Sequence, residues 1–359
     1  MIGDDDQSTG WKLAKRLISL ARPGYLQTGK RRHHRTRERT ENGVEYRTAN
    51  AGFLPRTAHG QKGRTQVMQC GASGQPVGWP GSMDNTSSPA IDNLGLTTIR
   101  TTPIESAGGS PMLLCVIDNP GSELNAVDAA LHRDFVALFG ALRHERVARA
   151  VVLTGSKRAF CAGGNFGWFD ELHEVAALDA LRRDAKLLIG DLLDIEVPIV
   201  CALNGAAVGL GASIALLSDA VVMSETATIA DPHVRVGIVA GDGGTTIWPL
   251  VLGPMLAKRY LLTGDAVDAA EALRLGLVTH VSPPASVLND AIAFAGRLAD
   301  GAPLAIRATK AAVNKLVKNA LNISFDTATH AELMTLLSAD HREALDAQRH
   351  KRPPRFVGA

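Results

Sequence analysis

Short apolar strands alternating with helices, two glycine-rich loops that each follow a strand, and an all-helical tail predict an α/β body with a C-terminal helical annex. From Leu94, LGLTTIRTT and PMLLCVID read as two strands separated by the loop ESAGGS. NAVDAALHRDFVALFGALRHE, from Asn125, repeats apolar residues three and four apart and reads as a helix. Val151 to Leu153 and Ile199 to Leu203 are continuous apolar runs, the pattern of strands buried on both faces, and AVVMS after Asp219 is a third. Helices are expected over Asp179 to Asp194 and from Thr245 onward. Beyond about Val281 the chain reads as nearly all helix: Ala285 to Asp300, Pro303 to Val317, and Asn322 to His350. Apolar stripes on more than one face of this tail suit subunit packing as well as docking on the body.

The net charge of +2 hides an asymmetry. The first 82 residues hold 14 Lys and Arg against 6 Asp and Glu, and the other 277 hold 24 against 30. Residues 1–90 have little hydrophobic periodicity beyond Trp11 to Leu20, include KRRHHRTRERTENG from Lys30, and are rich in Gly, Ser, Thr and Pro. This is the composition of a disordered basic extension, and a natural start at Met83 would remove most of it. The run has no interleaved aromatics or binding module, so no nucleic-acid partner is expected. No apolar run is long enough for a transmembrane helix and no secretory leader is evident, so a soluble cytoplasmic protein is expected, without a membrane partner. Cys70, Cys115, Cys161 and Cys201 form no CxxC pair and no zinc spacing. They read as reduced, mostly core residues; Cys161 lies in a glycine loop but has no nearby histidine to activate it.

The two glycine loops carry the chemistry. VVLTGSKRAFCAGGNF (Val151 to Phe166) and CALNGAAVGLGASIALLSD (Cys201 to Asp219) each run from a strand through glycines into a helix start. Each can present backbone N–H groups to one small target, and two such loops make an oxyanion hole. A dinucleotide reading of GLGASI is poor, because the third glycine and a downstream ribose acid are missing.

These loops, with ADPHVRVGIVAGDGG from Ala230, YLLTGDAVDAAEALRLGLVTHV from Tyr260 and the terminal KRPPRF, resemble the crotonase (enoyl-CoA hydratase/isomerase) superfamily. The five segments occur in family order from about Leu94 to the C-terminus. The resemblance implies a spiral of ββα turns over residues 91–283 and a helical region, 284–359, that drives formation of trimers or dimers of trimers. It also implies an acyl-CoA thioester substrate, with coenzyme A entering as part of the substrate and no separate cofactor or metal. By motif, the oxyanion donors fall on the N–H groups of Gly164 and Leu210. The first loop would cradle the adenine of CoA through Phe160, Ala162 and Phe166. Lys157 and Arg158 stand where they can meet its phosphates or belong to a solvated loop.

The sequence departs from the hydratase pattern at two positions. Where the best-known hydratases place glutamates, three residues after the second donor and twenty further on, this chain has Ser213 and His233. Ser213 can hold a water or pack as a small helix residue; a hydratase-lyase branch of the superfamily also has serine there. His233 has the right ordinary pKa for a general base but sits in a loop after Pro232 and can instead point outward or pack. Asp242, in GIVAGDGG, is the sharpest catalytic candidate, against the alternative that it caps the helix from Thr245. Asp231 can orient His233, and Asn165 replaces an aspartate that is commonly structural. The expected function is enoyl-CoA hydratase or lyase chemistry, with thioester or carbon–carbon bond hydrolysis and isomerisation as alternatives on the same fold. A non-catalytic CoA-ester-binding protein is the alternative from another class.

Overall fold

The computed structural model describes residues 91–359 apart from Asp92 and His173. The basic extension, with Cys70 and Met83, lies outside the described residues. A hairpin of β1 (Ile99–Glu105) and β2 (Pro111–Ile117) leads to helix α1 (Ala129–Leu142). Three turns of one plan follow. β3 (Ala150–Gly155) and β4 (Ala159–Cys161) lead to α2 (Phe166–Phe169) and α3 (Val175–Asp194). β5 (Ile199–Leu203) and β6 (Ala206–Val208) lead to α4 (Leu210–Leu216). β7 (Ala220–Ser224) and β8 (Thr228–Ala230) lead to a 3₁₀ turn (His233–Val236) and α5 (Gly244–Leu252). The chain continues through α6 (Pro254–Thr263), β9 (Val267–Asp268), α7 (Ala269–Leu275) and β10 (His280–Ser282). Its tail is α8 (Val287–Ala299), α9 (Pro303–Leu336) and α10 (Ala339–Arg349).

In each turn the first strand enters a large sheet, ordered β1-β2-β3-β5-β7-β10, and the second enters a small one, ordered β4-β6-β8-β9. This is the expected ββα spiral. Every residue of β3, β5 and β7 is buried, and alternate residues serve different cores. Val151, Leu153, Ile199, Cys201, Val221 and Met223 face the main core. Ala150, Val152, Val200, Ala202 and Val222 face α8, whose Ala291, Ala295 and Ala299 let it lie close on the sheet. Both faces are dry, which is why these strands read as unbroken apolar runs.

Two of the boundaries that differ from the sequence expectation have a clear local cause. The first strand begins at Ile99, not Leu94, because the amides and hydroxyls of Thr97 and Thr98 bond Asp134 Oδ2 of α1, at 2.7–3.2 Å, instead of a neighbouring strand. The tail helices expected over Pro303 to Val317 and from Asn322 are one helix of 34 residues. Lys318 to Leu321 contain no breaker, and Leu321 and Phe325 bury themselves in the main core, so helix continues through them. The break comes instead at Ser338, whose side chain accepts from His341 N and caps α10. Among the described residues no helix is long and apolar enough to cross a membrane.

The long helix α9 is tied to the body of its own chain. Lys310 Nζ, almost fully buried, donates to Val197 O at 2.9 Å and to Asp219 Oδ2 at 2.6 Å. Asn314 donates to Leu193 O at 3.0 Å, Lys318 pairs with Asp194, and Thr246 and Ser324 share a hydrogen bond of 2.6 Å. Removing one partner of a buried ion pair leaves the other charge poorly solvated, at a cost of about 3 kcal/mol. Lys310→Ala is therefore expected to lower the urea midpoint by a corresponding amount; an unchanged midpoint would remove Lys310 from the anchors of α9.

Candidate active site

Three parallel strands of the small sheet end side by side. Cys161 of β4 pairs with Ala207 of β6, and Val208 of β6 with Ala230 of β8. Their carboxyl ends release the two glycine loops and the Asp231-Pro232-His233 turn at one edge. In the first loop, Gly163 has φ +81° and lies so close to the second loop that a Cβ would come 3.1 Å from Val208 O. Gly164 makes a parallel bridge with Val127. Val127 N donates to Gly163 O and Asn165 N donates to Val127 O, both at 2.8 Å. That alternation turns the Gly164 N–H away from Val127. In the second loop Gly209, with φ +53°, leads into Leu210, the first residue of α4, whose N–H has no partner within the helix. Gly164 and Leu210 line one cavity.

His233, Asp242 and Glu332 line the same cavity. His233 Nδ1 faces Asp231 Oδ1 at 2.5 Å, and its Nε2 lies 3.6 Å from Asp242 Oδ2 and 4.0 Å from Glu332 Oε1. Three glycines make room for this packing. A Cβ on Gly209 would stand 3.1 Å from His233 Cε1, one on Gly241 would run into Glu332, and one on Gly244 would overlap Asp231. The N-cap position of α5 is Gly243, but the Asp242 carboxyl beside it takes a hydrogen bond from the Gly244 amide at the helix start. It also accepts a hydrogen bond from Ser213 Oγ at 3.3 Å.

Burial raises the Asp242 pKa to about 6, with Asp231 adding to the rise and His233, Ser213 and the Gly244 amide opposing it. Burial also raises Glu332, to about 8, helped by the neighbouring Asp242. For His233 burial disfavours the cation, but Asp231 and Asp242, with the Asp231 hydrogen bond and Glu332, outweigh it and hold the pKa up at about 10. At neutral pH the favoured state is an imidazolium between an ionised Asp242 and a protonated Glu332. Asp231, His233 and Asp242 also offer ligand atoms within 4.8 Å of one another, close enough for a cation. Within the set, His233 Nδ1 is engaged by Asp231, which leaves Nε2 facing Asp242.

Of the two readings of Ser213, packing is the one its position favours: it is fully buried beneath Asp242, donates to that carboxyl and does not line the cavity. The Cys161, Cys115 and Cys201 thiols are buried, which pushes each to about 12, and Cys161 is core. Asn165 caps α2 by accepting from Gly167 N. Of the residues expected near CoA, Lys157 donates to the carbonyls of Asn119 and Ser122, both at 3.2 Å, and faces Glu123 at 3.5 Å. Arg158 is exposed beside it. Phe160 is wholly buried and its carbonyl accepts from Asn125 Nδ2, while Ala162 N donates to Leu124 O. Phe166 opens α2 and packs edge-on to Phe169.

Glu332 escaped the sequence reading because it sits in α9 with no motif around it. The local signal was one of two acids, with Asp326, on a partly apolar helix. The cavity's other walls come from Trp168, Phe169 and Leu333 and from α3, and the Phe169 ring fills the space a side chain on Gly164 would take.

A ββα spiral with a C-terminal helical tail places the chain with the crotonase-fold proteins. The chain belongs to the enoyl-CoA hydratase/isomerase family, whose model matches residues 112–359. It is 34% identical over 250 residues to a probable enoyl-CoA hydratase of Rhodobacter capsulatus, covering 69% of this chain and 95% of that relative. Among solved structures it is similar to an enoyl-CoA hydratase/isomerase from Mycobacterium paratuberculosis, at 38% identity and TM-score 0.64, covering 70% of this chain and 98% of that one. It is also similar to a β-diketone hydrolase from the cyanobacterium Anabaena bound to (S)-3-oxocyclohexyl acetic acid, at 30% identity and TM-score 0.61, covering 66% and 93%.

The close approach at Gly209 generates a prediction. Gly209→Ala puts a methyl against His233 at a positive φ that disfavours alanine. A displaced imidazole should lower kcat/KM by about 100-fold or more while the circular dichroism spectrum is kept.

Proposed function

We propose that this chain hydrates a 2-enoyl-CoA thioester, with Asp242 as base and Glu332 as acid. The observation that carries this reading is the placement of Asp242 and Glu332 in one cavity with His233 between them and the Gly164 and Leu210 loops completing its walls. The thioester oxygen rests on the two amides, which draw electron density from the double bond and hold the enolate. Asp242 takes a proton from water as its oxygen bonds to the β-carbon, and Glu332 gives a proton to the α-carbon. His233 then passes a proton from Asp242 to Glu332, which restores both. His233 is a relay held cationic by Asp231, not the first base, because a group already protonated cannot accept. Electrophilic work falls to the amides, with coenzyme A present only as part of the substrate, and the location assigned to the enzyme is the cytoplasm.

A second reading has one supporting observation, the similarity to a β-diketone hydrolase. In that chemistry water attacks a carbonyl and a carbon–carbon bond breaks with the enolate as leaving group. Mass spectrometry separates the two, since hydration returns an intact CoA ester one water heavier and hydrolysis returns cleaved products. For the hydratase reading, kcat/KM should rise with pH through about 6 as Asp242 loses its proton and fall through about 8 as Glu332 does. Asp242→Asn should lower kcat by about 10²- to 10⁴-fold. Glu332→Gln should do likewise and abolish the alkaline limb; a limb that survived would sink the assignment of Glu332.

We also assign trimer or paired-trimer formation to the tail, residues 284–359, and the helices beside it. Leu316 and Ile323 of α9 and Met255 and Leu262 of α6 are 73%, 76%, 86% and 69% exposed in the single chain, which supports this. Sedimentation velocity should find trimers or hexamers, and Leu316→Asp with Ile323→Asp should yield smaller species.

A further inference from the structure

The cavity has a polar feature that the hydration chemistry does not use. His132 of α1 lines the cavity, is 6% exposed, and sits against the Trp168 ring with centroids 5.6 Å apart. Among the described residues its ring nitrogens meet no hydrogen-bond partner, and the same holds for the Trp168 indole N–H on the same wall. Neither side chain is among the described polar groups sealed off without a partner, so a group entering the cavity can reach these nitrogens. Phe169 stacks on Trp168 at 6.2 Å and lies over Gly164, so the ring row runs from the amide to His132.

Two further properties limit what can occupy this place. Burial, opposed by Asp184, lowers the His132 pKa, so the imidazole is neutral and offers one donor and one acceptor. That suits an uncharged hydroxyl or oxo oxygen; Arg182, the guanidinium on the same cavity wall, is already paired with Asp179. The wall around His132 is otherwise mostly apolar, with Val127, Phe169, Leu181 and Ile189, so the oxygen is carried on an otherwise apolar acyl chain.

We infer that His132 reads an oxygen on the acyl group beyond the reacting carbons, so that the substrate class is an acyl-CoA bearing a hydroxyl or oxo function. This rests on the acyl-CoA reading above, and it adds what that reading leaves open, the acyl group. The donor of Trp168 is the second contact available to the same oxygen.

The test compares matched thioesters on the full-length protein: trans-hexenoyl-CoA, its analogue with an oxo group beside the terminal methyl, the corresponding hydroxy analogue, and an ester of the same length ending in a carboxylate. The wild type should favour the oxo or hydroxy ester over the plain one in kcat/KM by about tenfold, and the carboxylate ester should gain nothing. In His132→Leu the ratio should fall to near one, and in His132→Gln, which keeps a donor and an acceptor, part of it should remain. A wild-type ratio near one, or a ratio unmoved by His132→Leu, overturns the inference. If no enoyl ester turns over, the hydration reading fails; calorimetric binding of the saturated versions then gives the same ratio and decides the subsite separately.

Discussion

The site depends on the parallel pairing of three very short strands. β4, β6 and β8 have three residues each, too few to be stable alone, and they hold register because each follows a longer strand buried in the large sheet. Parallel pairing requires a crossover between neighbours, so all three carboxyl ends emerge at one edge. That edge carries Gly164, Leu210 and the Asp231–His233 turn. Gly163 and Gly209 complete the arrangement, because at positive φ they let one loop touch the next without a side chain between them.

The electrostatics follow from that crowding. One imidazole sits among three carboxyl groups in a space with little water, and the groups cannot all be ionised at modest cost. Asp231 is the most enclosed, with Oδ1 on His233 and Oδ2 lacking a partner against Gly244, so its interaction is directed at the histidine. The resulting cation lowers Asp242, while Asp242 in turn raises Glu332. Two carboxyl groups of similar intrinsic acidity are thereby set apart, Asp242 the more acidic and Glu332 the less, which is the division that the proposed proton transfers require.

The tail is part of the site as well as of any subunit contact. Glu332 and Leu333 reach the cavity only because α9 is fixed along its length, by Lys310 at one end and by Thr329 Oγ1 donating to Gly241 O near the other. The second of these bonds fastens α9 to the loop that carries Asp242. Movement of α9 would therefore shift Glu332 and Asp242 together.

Much of the fold was legible because its signals are local. Continuous apolar runs marked β3, β5 and β7, glycines marked the two loops, and the ordered segments marked the family. Asp242 stood out because glycines surround it. The sequence by itself thus determined the strand–loop–helix units and the residues available at their ends. Tertiary structure alone decided which groups meet: Ser213 turned beneath Asp242, His233 held cationic by Asp231, Glu332 brought in from a distant helix, and His132 left facing the cavity. The reason is physical, since helix rotation, burial and the proximity of charges are properties of packed elements and leave no trace in the spacing of one segment.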